Sequence, residues 1–481
     1  MAKGYETVIG LEVHVELKTN TKIFCSCSTE FGGSPNSHTC PICLGMPGTL
    51  PVLNEKVVKF GVMTGHALNA KIPNFCKFDR KNYYYPDLTK NFQTSQFDLP
   101  ICENGHLDIE VNGEMRRIGI TRAHMEEDAG KLVHSGKTIT SSSSSQVDYN
   151  RAGVPLLEIV SEPDIKNSEE ARVFMEKLRQ IISYIEVSDC KMEEGSMRCD
   201  ANVSVRPIGQ KKLGTRTETK NLNSLKALEK SIEYEVRRQI KVIEKGESVV
   251  QETRTWDDEK GITLSMRSKE EAQDYRYFPE PDLPPIILTD EWIEEIRESL
   301  PELPDARRKR LIENDGLFEY DADLIISERI ISDFYDGVRK NGHDGKTIVN
   351  FLMGDYMKSL KEEGETVSSS KVTIESFSKL LDLIKDKTIS GKIAKEIIPE
   401  IIKSGKVPEA IVKEKGLVQI TDSSEIESFV DEVLNNNLQA IEDYKRGKES
   451  AIGFLVGQVM KASRGKANPG IVNGLLKDKL K

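Results

Sequence analysis

Two carboxylates flank an imidazole at every other position in the stretch IGLEVHVEL, residues 9–17. In an extended segment Glu12, His14 and Glu16 share one face, and Leu11, Val13, Val15 and Leu17 share the other. Oxygen ligands suit Mg²⁺ and a histidine can supplement them, so this polar row is a candidate divalent-cation site. A sheet strand with a solvated polar face would carry the same pattern. Four cysteines follow: Cys25-Ser-Cys27, a loop rich in Gly, Ser, Pro and Asn, then Cys40-Pro-Ile-Cys43. Two close thiol pairs across a flexible loop can close around one tetrahedral zinc with no open position, which makes the site structural. Cys76, Cys102, Cys190 and Cys199 lack such spacing and read as buried or incidental thiols. Glu158 sits alone in the apolar run PLLEIV, where a carboxylate is costly unless it is paired, ligates a metal or faces water at a strand edge. In FDRKNYYYPD, Arg80 or Lys81 could hold a phosphate or an anionic intermediate. The run HMEED, residues 124–128, is dense in ligands, but in a strand Glu127 faces away from His124, Glu126 and Asp128, so they cannot all hold one ion.

These residues need a scaffold. Residues 105–134 read as a hairpin around Asn112-Gly113 and residues 55–70 as a helix carrying a satisfied His66. A capping box at Ser168 starts a helix to Ile185. VSDCKMEEG and CDANVSVRP look strand-like, and residues 215–245 read as a strand and a long charged helix. A proline cluster, residues 279–285, closes this part, and from Asp290 onward only helical spacing remains. The expected fold class is α+β: a mixed-sheet domain over 1–292, a helical domain over 293–405 and a helical tail over 406–481. The tail gathers Lys461, Arg464, Lys466, Lys477, Lys479 and Lys481, a local basic surface suited to phosphate-backbone contact or simply to solvation.

The chain has 481 residues, enough for about three domains. Its net charge of −10 argues against a generally basic nucleic-acid binder without excluding a local patch. No apolar run is long enough to span a membrane, and the N-terminus has no apolar signal core, so a cytoplasmic location with reduced thiols is expected. Gly345-Lys346-Thr347 is not a P-loop, because Lys340 stands where a glycine is required. A bound nucleotide would therefore occupy an unusual site.

The strings VIGLEVHVEL, FDRKNYYYPD, ITRAHMEEDAGK, PLLEIVSEPD, KMEEGSMRCDANVSVRP, DYRYFPEPDLPP and GFLVGQVMKASRGKANP run the length of the chain. Through them it resembles the B-subunit family of the bacterial glutamyl-tRNA(Gln)/aspartyl-tRNA(Asn) amidotransferases. The resemblance implies a cradle-like catalytic domain, a helical domain and a tail that contacts tRNA through Lys461, Arg464 and Lys466. It implies a ligase component: ATP phosphorylates the side-chain carboxylate of mischarged Glu-tRNA(Gln) or Asp-tRNA(Asn), and ammonia then displaces phosphate. Partners would be the family's amidase, which sends ammonia through a tunnel, a small third protein that makes up a heterotrimer, the two tRNAs and the non-discriminating aminoacyl-tRNA synthetase. Carried over residue by residue, the Mg²⁺ ligands are Glu12, His14, Glu127 and Glu158. Lys81 stands near the tunnel exit, and Lys81 and Arg151 serve the nucleotide. Zinc on the four cysteines matches one branch of the family. The loop at 141–145 departs from the shorter one expected. A tRNA-binding adaptor, or a zinc-stabilised scaffold without its own chemistry, would need only part of this set.

Overall fold

The computed structural model describes residues 4–134, 144–268, 275–418, 420, 423–446, 448, 450–463 and 465–480. Most of the expected 141–145 loop, and Arg464 and Lys481 of the tail, lie outside them. The chain divides into two units, Met1–Pro304 and Asp305–Lys481.

The first unit is built on a mixed sheet of eleven strands. In chain order these are β1 (Tyr5–Glu16), β2 (Asp79–Asn82), β3 (Phe92–Ser95), β4 (Cys102–Val111), β5 (Glu114–Glu127) and β6 (Pro155–Ser161), followed by β7 (Met197–Pro207), β8 (Thr217–Leu222), β9 (Glu252–Asp257), β10 (Ile262–Ser268) and β11 (Phe278–Pro279). Their spatial order is β10-β9-β8-β7-β1-β6-β5-β3-β2-β11, with β4 also on β5. Every pairing is antiparallel except β8 with β9. The hairpin β4–β5 turns at Asn112 and Gly113, both at positive φ (53° and 78°), as a tight two-residue turn requires.

Strict alternation in β1 sorts its side chains. Ile9, Leu11, Val13 and Val15 are 0–1% exposed and enter the core, and Glu12, His14 and Glu16 stand on the other face. Helices α1 (Glu55–Ala67), α2 (Ser168–Tyr184), α3 (Leu225–Glu244) and α4 (Asp290–Ser299) supply the opposing apolar surface. From α2 come Phe174, Met175, Leu178 and Ile182, each fully buried and each contributing roughly 1.5–3 kcal/mol of transfer free energy. The cap of α2 is Asn167, one residue before the expected Ser168. Its side chain accepts from Glu170 N, and the Glu170 carboxylate returns to Asn167 Nδ2 and Lys166 N. The expected strand in VSDCKMEEG is instead a series of turns, with Cys190 and Gly195 at positive φ. Ile296 of α4 is buried in this first core, so the unit extends past residue 292 to Pro304.

The second unit is helical and has two separate cores. One is built around Tyr335, Tyr356, Phe377 and Ile397, the other around Val430, Leu455, Val472 and Leu476. None of the described helices is long and apolar enough to cross a membrane.

Candidate functional site

The polar face of the sheet carries the site, and strand register assembles it. β1 sets His14 opposite Glu158 of β6, and β6 in turn sets Glu158 opposite His124 of β5. A β-bulge makes this possible. Ile120 pairs with Ser161 but Arg122 pairs with the adjacent Val160, so β5 carries one extra residue there. Before the bulge Ile118 and Ile120 face the core; after it Ala123 and Met125 do, which turns Arg122, His124 and Glu126 onto the polar face. His14 Nε2 lies 3.4 Å from a carboxylate oxygen of both Glu126 and Glu158. His124 Nε2 lies 3.1 Å from Glu158. His14, Glu126 and Glu158 each bring one donor atom within 4.8 Å of the other two.

Beside this trio is a second group. β1 pairs Glu12 with Asp200 of β7, and β7 pairs Asn202 with Glu218 of β8. Glu12, Asp200 and Glu218 also hold donor oxygens within 4.8 Å of one another. Asn202 Nδ2 donates to Glu12 Oε1 at 2.8 Å, and Lys220 bridges Asp200 and Glu218. Glu12 and His14 are thus neighbours on one strand face that belong to different groups.

Glu127 joins neither. It points to the opposite side of β5, where its carboxylate accepts from Thr94 N at 2.8 Å and pairs with Lys90. There it lines a cavity of about 190 Å³ with Lys90, Arg80, Phe92 and Cys43. The structure therefore puts Glu126, not Glu127, beside His14 and Glu158. Lys81 sits on β2 with its ammonium over the rings of Tyr83 (5.7 Å) and Tyr275 (5.1 Å). Arg151 is engaged by Asp128 and by the carbonyls of Ala129 and Gly130.

Charge on this face is concentrated and buried. Burial alone would lower His124, but the carboxylates of Glu158 and Glu126 reverse that and raise it to about 9. His14 behaves alike: burial opposes the cation and Glu158 and Glu126 favour it more, so it rises. Burial works to raise Glu158, and the two imidazoles hold it well below the usual carboxylate range. Burial, then the like charges of Glu158, Glu218 and Asp200, push Glu12 up. Lys81 is raised, because Glu126 and the surrounding groups outweigh its desolvation. Two carboxylates and an imidazole make an oxygen-rich donor set of the kind divalent cations such as Mg²⁺ accept, and in the second group the Lys220 ammonium offsets part of the repulsion among Glu12, Asp200 and Glu218.

The four expected cysteine ligands come together. One Sγ from each of Cys25, Cys27, Cys40 and Cys43 lies within 4.8 Å of the others, a set that fits a tetrahedral soft metal. All eight cysteines are free thiols. In the tail, Lys461 is exposed at the end of helix Ser450–Ala462 and Lys466 is half-buried, whereas Lys479 is paired with Glu427 and Asp431.

Residues 7–294 match the family described as the GatB/GatE catalytic domain, and residues 333–480 match the GatB domain family. The chain is 60% identical over 478 residues to the B subunit of the aspartyl/glutamyl-tRNA(Asn/Gln) amidotransferase of Carboxydothermus hydrogenoformans, covering 99% of both chains. Proteins of the same name from Caldanaerobacter subterraneus (57% over 476 residues, 99% of both) and Geobacter sulfurreducens (55% over 478 residues, 99% of this chain and 100% of that one) are similar to it throughout.

Proposed function

The chain belongs to the family of aspartyl/glutamyl-tRNA(Asn/Gln) amidotransferase B subunits, and on that footing we propose that its sheet face activates and amidates the side chain of a mischarged aminoacyl-tRNA. The observation that carries the reading is the convergence of His14, Glu126 and Glu158 from three adjacent strands, with Glu12, Asp200 and Glu218 alongside. The substrate is Glu-tRNA(Gln) or Asp-tRNA(Asn). An oxygen of its side-chain carboxylate attacks the γ-phosphorus of ATP and ADP leaves; ammonia then attacks the acyl carbon and inorganic phosphate leaves, giving the amide. A bound Mg²⁺ supplies neutralisation of phosphate charge. His14, Glu126 and Glu158 would hold it, and His124 positions Glu158 through the 3.1 Å contact to its carboxylate. Lys81 keeps its proton among Tyr83, Tyr275 and Glu126 and offers positive charge to the acyl phosphate. The four cysteines hold a structural zinc. Ammonia is delivered by a partner amidase, with a small third protein in the same assembly and the non-discriminating synthetase supplying the mischarged tRNA.

The test is a half-reaction. The chain with its partners, mischarged Glu-tRNA(Gln) and γ-labelled ATP, but no ammonia donor, is expected to release ADP only when both Mg²⁺ and the mischarged tRNA are present. ADP release indifferent to the aminoacyl group would sink the reading.

The tail reads as a backbone contact for tRNA. Replacing Lys461 and Lys466 by Ala is expected to weaken tRNA binding and to flatten log Kd against log salt by about 0.7–0.9 per lost phosphate contact. A filter-binding series over salt measures the slope, and an unaltered slope removes these two lysines from the interface.

A further inference from the structure

Lys22 is wholly enclosed, 0% exposed, on the segment between β1 and the cysteine loop. A buried ammonium is expensive unless an anion faces it. Among the described residues no carboxylate lies within ion-pair distance of it. Its Nζ instead donates to His38 O at 2.7 Å and Tyr149 O at 3.3 Å, and its third partner is Cys43 Sγ at 3.7 Å. The one partner of Lys22 among these three that can carry a negative charge is the Cys43 sulfur. Four thiolates on one divalent ion leave a net charge of −2, and a cation packed against one of those sulfurs offsets half of it.

The same lysine sits at a seam. Residues 34–40 of the cysteine loop are joined to residues 147–150 by several hydrogen bonds. Asn36 N donates to Asp148 Oδ1 (3.0 Å), Tyr149 N to Asn36 Oδ1 (2.8 Å), His38 N to Asn150 Oδ1 (2.8 Å) and Asn150 Nδ2 to Ser34 O (2.7 Å). Residues 147–150 lead directly into Arg151 and then into β6, the strand that carries Glu158. Lys22 touches both sides of the seam and the Cys43 sulfur at once.

We propose that Lys22 is the charge partner of the metal–thiolate centre, a positioning residue whose ammonium tightens metal binding through Cys43 and fastens the loaded loop to the segment entering β6. The inference rests on the zinc reading of the four cysteines.

The experiment compares full-length parent, Lys22→Met and Lys22→Arg. Zinc affinity is measured by chelator competition, and the sulfur-to-metal charge-transfer band by Co²⁺ substitution. Lys22→Met is expected to weaken zinc binding by about 10–100-fold, the usual effect of losing a group that supports a ligand, and to shift the Co²⁺ band. Lys22→Arg, which keeps the cation, is expected to recover most of both. Equal affinity in parent and Lys22→Met overturns this inference alone, whereas a parent that takes up no zinc overturns the zinc reading and this inference with it. A measurement on the parent needs no variant: acetic anhydride should label exposed Lys18 with or without metal, but Lys22 only after chelation. Lys22 labelled equally in both states overturns the proposal.

Discussion

Glu158→Gln lowers tRNA-dependent ADP release by at least about 10²-fold, the scale of losing one preorganised charge from a phosphoryl-transfer site. The amide keeps the shape and removes the anion. Glu158 is the residue on which both imidazoles converge, 3.4 Å from His14 and 3.1 Å from His124. Without its charge the trio loses an anionic oxygen donor, and His124 loses the carboxylate 3.1 Å away that raises it. Glu126→Gln should follow Glu158→Gln, and Glu127→Gln should leave ADP release of the same order as the parent, because its carboxylate answers Thr94 N and Lys90 on the other side of β5. Glutamine hydrolysis by the partner amidase should persist in all three, since none of them touches that chemistry. The measurement is ADP release without an ammonia donor; full turnover in Glu158→Gln would make the trio structural and favour the adaptor reading over the catalytic one.

What the sequence disclosed of this site, and what it withheld, follows from how local each signal is. The alternation in β1 is local, and it correctly separates Glu12, His14 and Glu16 from the core row. Glu158 announces itself as an acid among aliphatics, and Asn112-Gly113 as a turn. Alternation also says that Glu126 shares a face with His124 and that Glu127 does not, which is the geometry observed; the ligand set carried over from the resemblance chose Glu127 instead. The bulge at residues 120–122 has no sequence signature, since it arises from the pairing of β5 with β6. Asp200 and Glu218 alternate with buried neighbours on their own strands, but their approach to Glu12 depends on register between segments about 190 and 206 residues distant. Lys22, in TNTKIFC, resembles any surface lysine until the cysteine loop folds over it.

Glu235→Gln destabilises the first unit by about 3 kcal/mol, the lower end of the cost of breaking a buried ion pair, with a fall in Tm of about 5 °C. Glu235 on α3 is 0% exposed and faces two guanidiniums: Arg238 at 2.8 Å, one turn along the helix, and Arg254 of β9 at 3.0 Å. Thr217 of β8 donates to it at 2.8 Å and Thr263 of β10 donates as well. One carboxylate thus ties α3 to the three outer strands beside the Glu218 edge of the site, and a neutral amide leaves Arg254 and Arg238 short of a counter-charge. Burial alone would raise Glu235; the Arg238 guanidinium and the two hydroxyls outweigh it, so its folded value lies below the ordinary one. For an acid depressed in the folded state, the stabilisation is fully present above the unfolded value near 4.3 and is lost as pH falls through the folded value. The Tm gap between parent and Glu235→Gln should therefore be constant from pH 7 down to about 5 and close as the pH drops below about 4. A gap that widened on acidification would mean that Glu235 is protonated in the fold, and that the two arginines are balanced by Glu252 instead.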